Sequence, residues 1–144
     1  MTITTAATLA APTAAAPAVQ VLTLADPLPG FPGHRDFALV AGDSAGLLFW
    51  LQSVAPEGPR FLTVPAGPFF PDYAPALPRA ACDELGIADV GDAEIYCIVT
   101  VLDGDVTTAT ANLRAPLVVN PATHRARQIV LTDGSHPIRR PLRR

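Results

Sequence analysis

From Val19 onward the chain is cut into short runs rich in Val, Leu, Phe and Thr, each stopped by turn-forming residues. The runs are Val19 to Leu24, Phe37 to Ala41, Leu47 to Gln52, Arg60 to Val64, Glu94 to Leu102, Val106 to Leu113, Leu117 to Asn120 and Arg127 to Thr132. Asp103-Gly104 lies between two of them, and a type I′ hairpin favours that dipeptide because both central residues need positive φ. Ala41-Gly42-Asp43-Ser44 offers a similar reversal, and Asn120-Pro121 and Asp133-Gly134 mark two further turns. This spacing predicts an all-β fold, and so many strand edges are best protected in a small closed or partly open β-barrel. One short helix is expected near residues 78–86. Pro78 suits a first helical position, Arg79 to Leu85 tolerate helix, and Gly86 is a good stop.

A length of 144 residues fits one domain, read as residues 19–144. Residues 1–18 are low-complexity Ala, Thr and Pro, with too little apolar surface to offset the entropy of ordering, so this segment is expected to be a disordered tail. It lacks the positive leader of a secretory signal. Cys82 and Cys97 form no CxxC and have no ligands at metal spacing, so neither a disulfide framework nor a metal site is indicated, and a reducing cytoplasm fits best. Cys82 shares a helix face with Leu85, and Cys97 reads as a strand residue in or near the core. No apolar stretch reaches the length of a membrane helix.

Charge is segregated. Residues 26–105 hold 12 acids and 3 arginines, and residues 106–144 hold 7 arginines and Asp133. The acidic body argues against a nucleic-acid partner, leaving only the arginine-rich end at Arg139, Arg140, Arg143 and Arg144 as a contact for RNA or acidic protein, with a solvated tail as the alternative. A basic protein partner is easier to justify. Catalytic patterns are scarce: Ser53 lacks the glycines of a nucleophile elbow, His34, His124 and His136 show no HExxH spacing, and there is no phosphate-cradling glycine loop. No catalytic residue, cofactor or metal is assigned. A triad assembled by folding from distant residues would escape such a search.

Two apolar turn segments stand out. Leu28-Pro29-Gly30-Phe31-Pro32-Gly33 is hydrophobic for a loop, and Pro68-Phe69-Phe70-Pro71-Asp72-Tyr73 gathers three of the eight Phe and Tyr residues. Either segment could be core; proline confines both to irregular or edge structure, with the rings either plugging a barrel end or forming an interaction patch.

Taken together, Leu28-Pro29-Gly30-Phe31 with Phe37 and Leu39, Leu51-Gln52-Ser53, Phe70 with Asp72-Tyr73, Thr110-Ala111-Asn112-Leu113-Arg114-Ala115-Pro116 with Asn120, and Gln128 before Val130-Leu131 resemble the FliW family of bacterial flagellar assembly factors. The likeness runs in order from about Leu24 to Leu142. It implies a small β-barrel that binds proteins and is not an enzyme. It further implies two cytoplasmic partners, newly made flagellin and the translational regulator CsrA, exchanged so that flagellin synthesis follows export. On the matched positions, Pro29, Gly30, Phe31, Asn112, Leu113, Ala115, Pro116, Asn120 and Gln128 are expected to be architectural. Partner contact is expected from Phe69, Phe70, Asp72 and Tyr73, then Gln52 and Ser53. The chain departs from the family before the Pro-Gly-Phe turn, where it carries Ala, Thr and Pro in place of charged strand formers and Pro27 in place of Gly. A barrel that binds a small ligand, or an unrecognised hydrolase, is the alternative.

Overall fold

A computed structural model describes residues 19–132 and 134–142, so the tail expected over 1–18 lies outside the described residues. The strands are β1 (Val19–Leu24), β2 (Asp36–Ala41), β3 (Phe49–Ser53), β4 (Arg60–Pro65), β5 (Glu94–Leu102), β6 (Asp105–Ala111), β7 (Leu117–Asn120), β8 (Arg125–Gln128) and β9 (Arg140–Pro141). Pairing runs β4-β3-β2-β1-β8-β7-β5, and β5 returns to β4, closing a barrel of seven strands. β6 and β9 continue outward from β5. Despite the atypical residues before it, β1 pairs along its length with β2, while its parallel seam with β8 rests on Thr23 and Leu24 alone.

β5 makes the branch possible because it has nine residues, about 30 Å of extended chain. One edge pairs with β4; along the other, Glu94–Tyr96 pair with β7 and Val99–Leu102 with β6, across a bulge after Thr100. The β5–β6 hairpin turns at Asp103 (φ 53°) and Gly104 (φ 72°), the two positive angles its dipeptide predicted.

Alternation separates an inner core from outer layers. Leu22, Leu24, Phe37, Leu39, Leu51, Leu117 and Val119 point inward and are fully buried, with Phe31, Phe49 and Phe61 packed beside them. Each such side chain contributes on the order of 2 kcal/mol by leaving water. A second cluster lies outside the barrel on β4 and β5, built from Val64, Phe70, Cys97, Val99, Ala111 and Leu113. A third lies between helix α2 (Arg79–Leu85) and the outer face of β7, where Cys82 and Leu85 meet Val118, Ile129 and Leu131.

Several expectations need correction at element ends. The last run pairs as Arg125–Gln128, not 127–132, because Ile129 and Leu131 are drawn under α2 and bond instead to the carbonyls of Pro116 and Arg114. Leu47 and Leu48 leave the third run because their amides, with that of Gly46, donate to the Asp43 carboxylate. Pro78 caps α2 from outside rather than opening it, and Gly86 ends it at φ 74°. The helix is also not alone. α1 (Ala66–Phe69) makes one turn, and Pro68 is tolerated there because first-turn amides need no helical partner. Val90–Asp92 form a 3-10 turn capped by Asp89.

Candidate functional site

α1 delivers Phe69 and Phe70 to the outside of the barrel rather than to its end. Phe70 closes the helical turn by donating its amide to Ala66 (2.8 Å), and its ring is only 6% exposed, packed on the second cluster. Tyr73 reaches the same cluster, and its hydroxyl donates to the Leu113 carbonyl. The arm formed by residues 134–142 crosses over these rings. His136 meets Tyr73 edge-on at 5.1 Å, and the Arg140 guanidinium stands 5.3 Å from the Phe70 ring centre. A cleft of about 210 Å³ remains, walled by Phe69, Phe70, Asp72 and Tyr73 on one side and Ser135, His136 and Arg140 on the other. Four of the six expected contact residues thus share one surface. Phe70 neither plugs a barrel end nor lies open in a patch; it is core, as the sequence also allowed, but of the outer layer.

Gln52 and Ser53 lie elsewhere. Gln52 pairs with Arg60 at the start of β4, whereas α1 follows Pro65 at its end, a separation of about 16 Å along the strand. Ser53 points inward, its Oγ 2.8 Å from His34 Nδ1 and accepting the Ala55 amide at 3.2 Å. Gly58 crosses so closely that an added Cβ would sit 2.2 Å from Ser53 Cβ. Folding has therefore assembled a serine–histidine pair from distant residues, the arrangement a hydrolase would need. Among the described residues no carboxylate bonds to His34, and the hydroxyl is engaged in closing the β3–β4 turn.

The remaining matched positions hold backbone. Gly30 has φ 89° beside exposed Pro29, and Phe31 packs edge-on against Phe61 at 5.5 Å. Asn112 Oδ1 accepts the amides of Arg114 and Ala115, turning the chain between β6 and β7, with Leu113, Ala115 and Pro116 buried around it. Gln128 donates to the Ala115 carbonyl (3.2 Å). Asn120 is buried, donates to Leu85 O (2.8 Å) at the end of α2 and accepts from Ala122, so one amide ties helix to barrel. On the same side Arg127 bridges Asp26 and Glu84.

Two neighbours on β5 are pushed toward their neutral forms. Burial raises Cys97 from 9.0 to about 12. Burial also raises Tyr96 from 10.0 to about 12, helped by the Glu94 carboxylate that accepts its hydroxyl hydrogen. Neither is poised as a nucleophile near neutral pH. Asp105 is shifted down by the Thr107 hydroxyl and amide that donate to it. Among the described residues no group of three or more His, Cys, Asp or Glu is placed to hold a metal ion, and no helix is long and apolar enough to cross a membrane.

Trp50 and its outward neighbours on β1, β2 and β4 escaped the sequence reading. Their signal was present: a strand with one wet face alternates apolar and polar, yet β2 and β3 are apolar at both parities in Leu39-Val40 and Trp50-Leu51.

The FliW protein family model matches residues 6–142 of this chain. A flagellar assembly factor FliW from Moorella thermoacetica is 36% identical over 115 residues, covering 80% of this chain and 73% of that protein. One from Symbiobacterium thermophilum is 38% identical over 115 residues, covering 78% and 82%. A crystal structure of the flagellar assembly factor FliW superimposes with a TM-score of 0.76 at 28% identity, over 85% of this chain and 84% of that one. With the barrel and nearly the whole chain matched, this protein belongs to the FliW family of flagellar assembly factors.

Proposed function

We propose that this protein binds flagellin in the cytoplasm and, when free, sequesters the translational regulator CsrA, so that flagellin synthesis is coupled to export by exchange of partners. The observation that carries this reading is the family match along residues 6–142, with the barrel preserved. The charge distribution supports it: a body with 12 acids against 3 arginines over residues 26–105 favours rapid docking of a basic regulator. The inward side chains Leu22, Leu39, Leu51 and Phe37 are fully buried in one cluster, which favours this reading over the ligand-binding and hydrolase alternative.

The exchange requires negative coupling, and linkage makes it reciprocal: each partner weakens the other by the same factor. Calorimetric titration with the host's flagellin, with its CsrA, and with each in the presence of the other tests this. Binding to both with equal mutual weakening is expected. Binding to flagellin alone leaves a chaperone role and removes the translational one. Binding to neither competent partner defeats the proposal.

A further inference from the structure

Register places Val19, Val40, Trp50 and Leu62 side by side on four consecutive strands. All four belong to the outward parity, opposite Leu22, Leu39, Leu51 and Phe61, which face the core. At 4.7–4.9 Å between strands the row is about 14 Å wide. α1 rests on β4 and β5 and Leu62 packs at the edge of the second cluster, so the row is partly covered at its β4 end and, among the described residues, opens toward β1. Val19 is 56% exposed, and Val21, in the next row, 48%. The one tryptophan of the chain lies at its centre, over Gly42, where an added Cβ would meet the indole at 3.3 Å.

Beside this row stands one pre-oriented cation. The Arg60 guanidinium stacks on the Trp50 ring, 3.9 Å from its centre, and among the described residues it has neither a carboxylate partner nor a side-chain hydrogen bond. Arg35, the other arginine at this end of the barrel, is occupied by the carbonyls of Leu24 and Ala25. A stacked guanidinium keeps its in-plane donors free and aligned, the geometry that takes a carboxylate through two parallel hydrogen bonds. Trp and Arg at the centre of an apolar patch are also the residue types that dominate binding energy at interfaces.

The geometry points to a protein-docking surface on the outer face of β1–β4, whose occupant is an apolar protein segment carrying a carboxylate that pairs with Arg60 while its apolar side chains cover Val19, Val40, Trp50 and Leu62. Charge selects this occupant. A segment without an acid leaves Arg60 covered and unpaired, and a strongly acidic one is repelled by a body that is nine charges negative over residues 26–105. The inference does not depend on which protein supplies the segment, so it stands apart from the flagellin and CsrA reading.

The test is selection of a randomised peptide display library on the purified full-length protein, with tight binders then titrated by Trp50 fluorescence. The emission reports this face directly because the chain has one tryptophan. Expected are peptides with Asp or Glu between apolar residues, a Trp50 emission change on binding, and a loss of about tenfold or more in affinity for Arg60→Glu. Arg60→Lys should recover part of that loss, and Arg79→Glu, the same charge change on exposed α2, should cost less than twofold. Val40→Asp, at a half-buried outward position of β2, should also abolish binding while circular dichroism shows the strand content unchanged. Peptides without an acid, binding that ignores Arg60, or a selection that yields no Arg60-dependent binder overturns the proposal. So does a dimer in sedimentation velocity that Val40→Asp dissolves, which would make the occupant a second copy. A crosslink from a photoreactive residue at position 40 to residues 1–18 would likewise reassign the face to the chain's own N-terminal segment.

Discussion

The barrel has two kinds of outer face, and the difference between them separates stability from recognition. On β4, β5 and β7 the outward residues Val64, Cys97, Val99 and Val118 are buried beneath α1, the 134–142 arm or α2. On β1, β2 and β3 the outward residues mix apolar Val19, Val21, Val40 and Trp50 with polar Thr23, Asp36 and Gln52, and Val19 and Val21 are about half exposed among the described residues. Apolar side chains that fold into a second layer contribute to stability; the same side chains left in water contribute almost nothing until something else covers them.

The largest effect separating the two faces is expected at high pH. Cys97 faces the covered layer and Tyr96 the interior, and both titrate near 12 in the folded protein, above their ordinary values. The unfolded chain therefore ionises first. Stability is complete below about pH 9 and is lost as pH rises toward 12, because only the unfolded state gains from releasing those protons. Urea midpoints measured from pH 8 to 11.5 should fall steeply above 9, and a flat profile would contradict the burial of both groups.

Core truncation comes next. Phe37→Ala removes a fully buried ring and should cost about 3–5 kcal/mol in urea unfolding. Asn120→Ala should cost about 2 kcal/mol, since it strips the buried Leu85 carbonyl of its donor and loosens α2 from the barrel. The sharpest comparison uses one chemical change on both faces. Val118→Thr, beneath α2, should destabilise by about 1–3 kcal/mol because the hydroxyl is buried without a planned partner. Val40→Thr, on the open face, should stay within about 0.5 kcal/mol. Equal costs at the two positions would show that the open face is covered in solution. Smallest of the backbone effects, Gly104→Ala should cost about 1 kcal/mol, because φ of 72° places a Cβ against the following carbonyl.

Much of the fold was readable because its signals are local. Asp103-Gly104 reported its own hairpin, Gly86 its own helix end, and the runs at Val19, Glu94 and Leu117 became strands with the expected bounds. What was unreadable depended on partners distant in sequence. Ile129 and Leu131 look like strand residues and lie under a helix that ends at Leu85. Phe70 looks like a loop aromatic and is sealed by Arg140 and the arm, while Gln52 and Phe69, both expected to touch a partner, belong to opposite ends of one strand pair. Trp50 was passed over although its strand broke the alternation expected of a wet face.

By itself the sequence determined the class of the fold, the hairpin turns, the helix over Arg79–Leu85 and the acidic character of the body, since each follows from propensities and charges carried by neighbouring residues. Only the tertiary structure decided which apolar residues face inward, which lie under a second layer and which remain open. That choice rests on the closure of β5 onto β4 and on the paths of α1, α2 and the arm. Burial is a property of what lies opposite a side chain, and in a barrel what lies opposite is set by register between strands far apart in the chain.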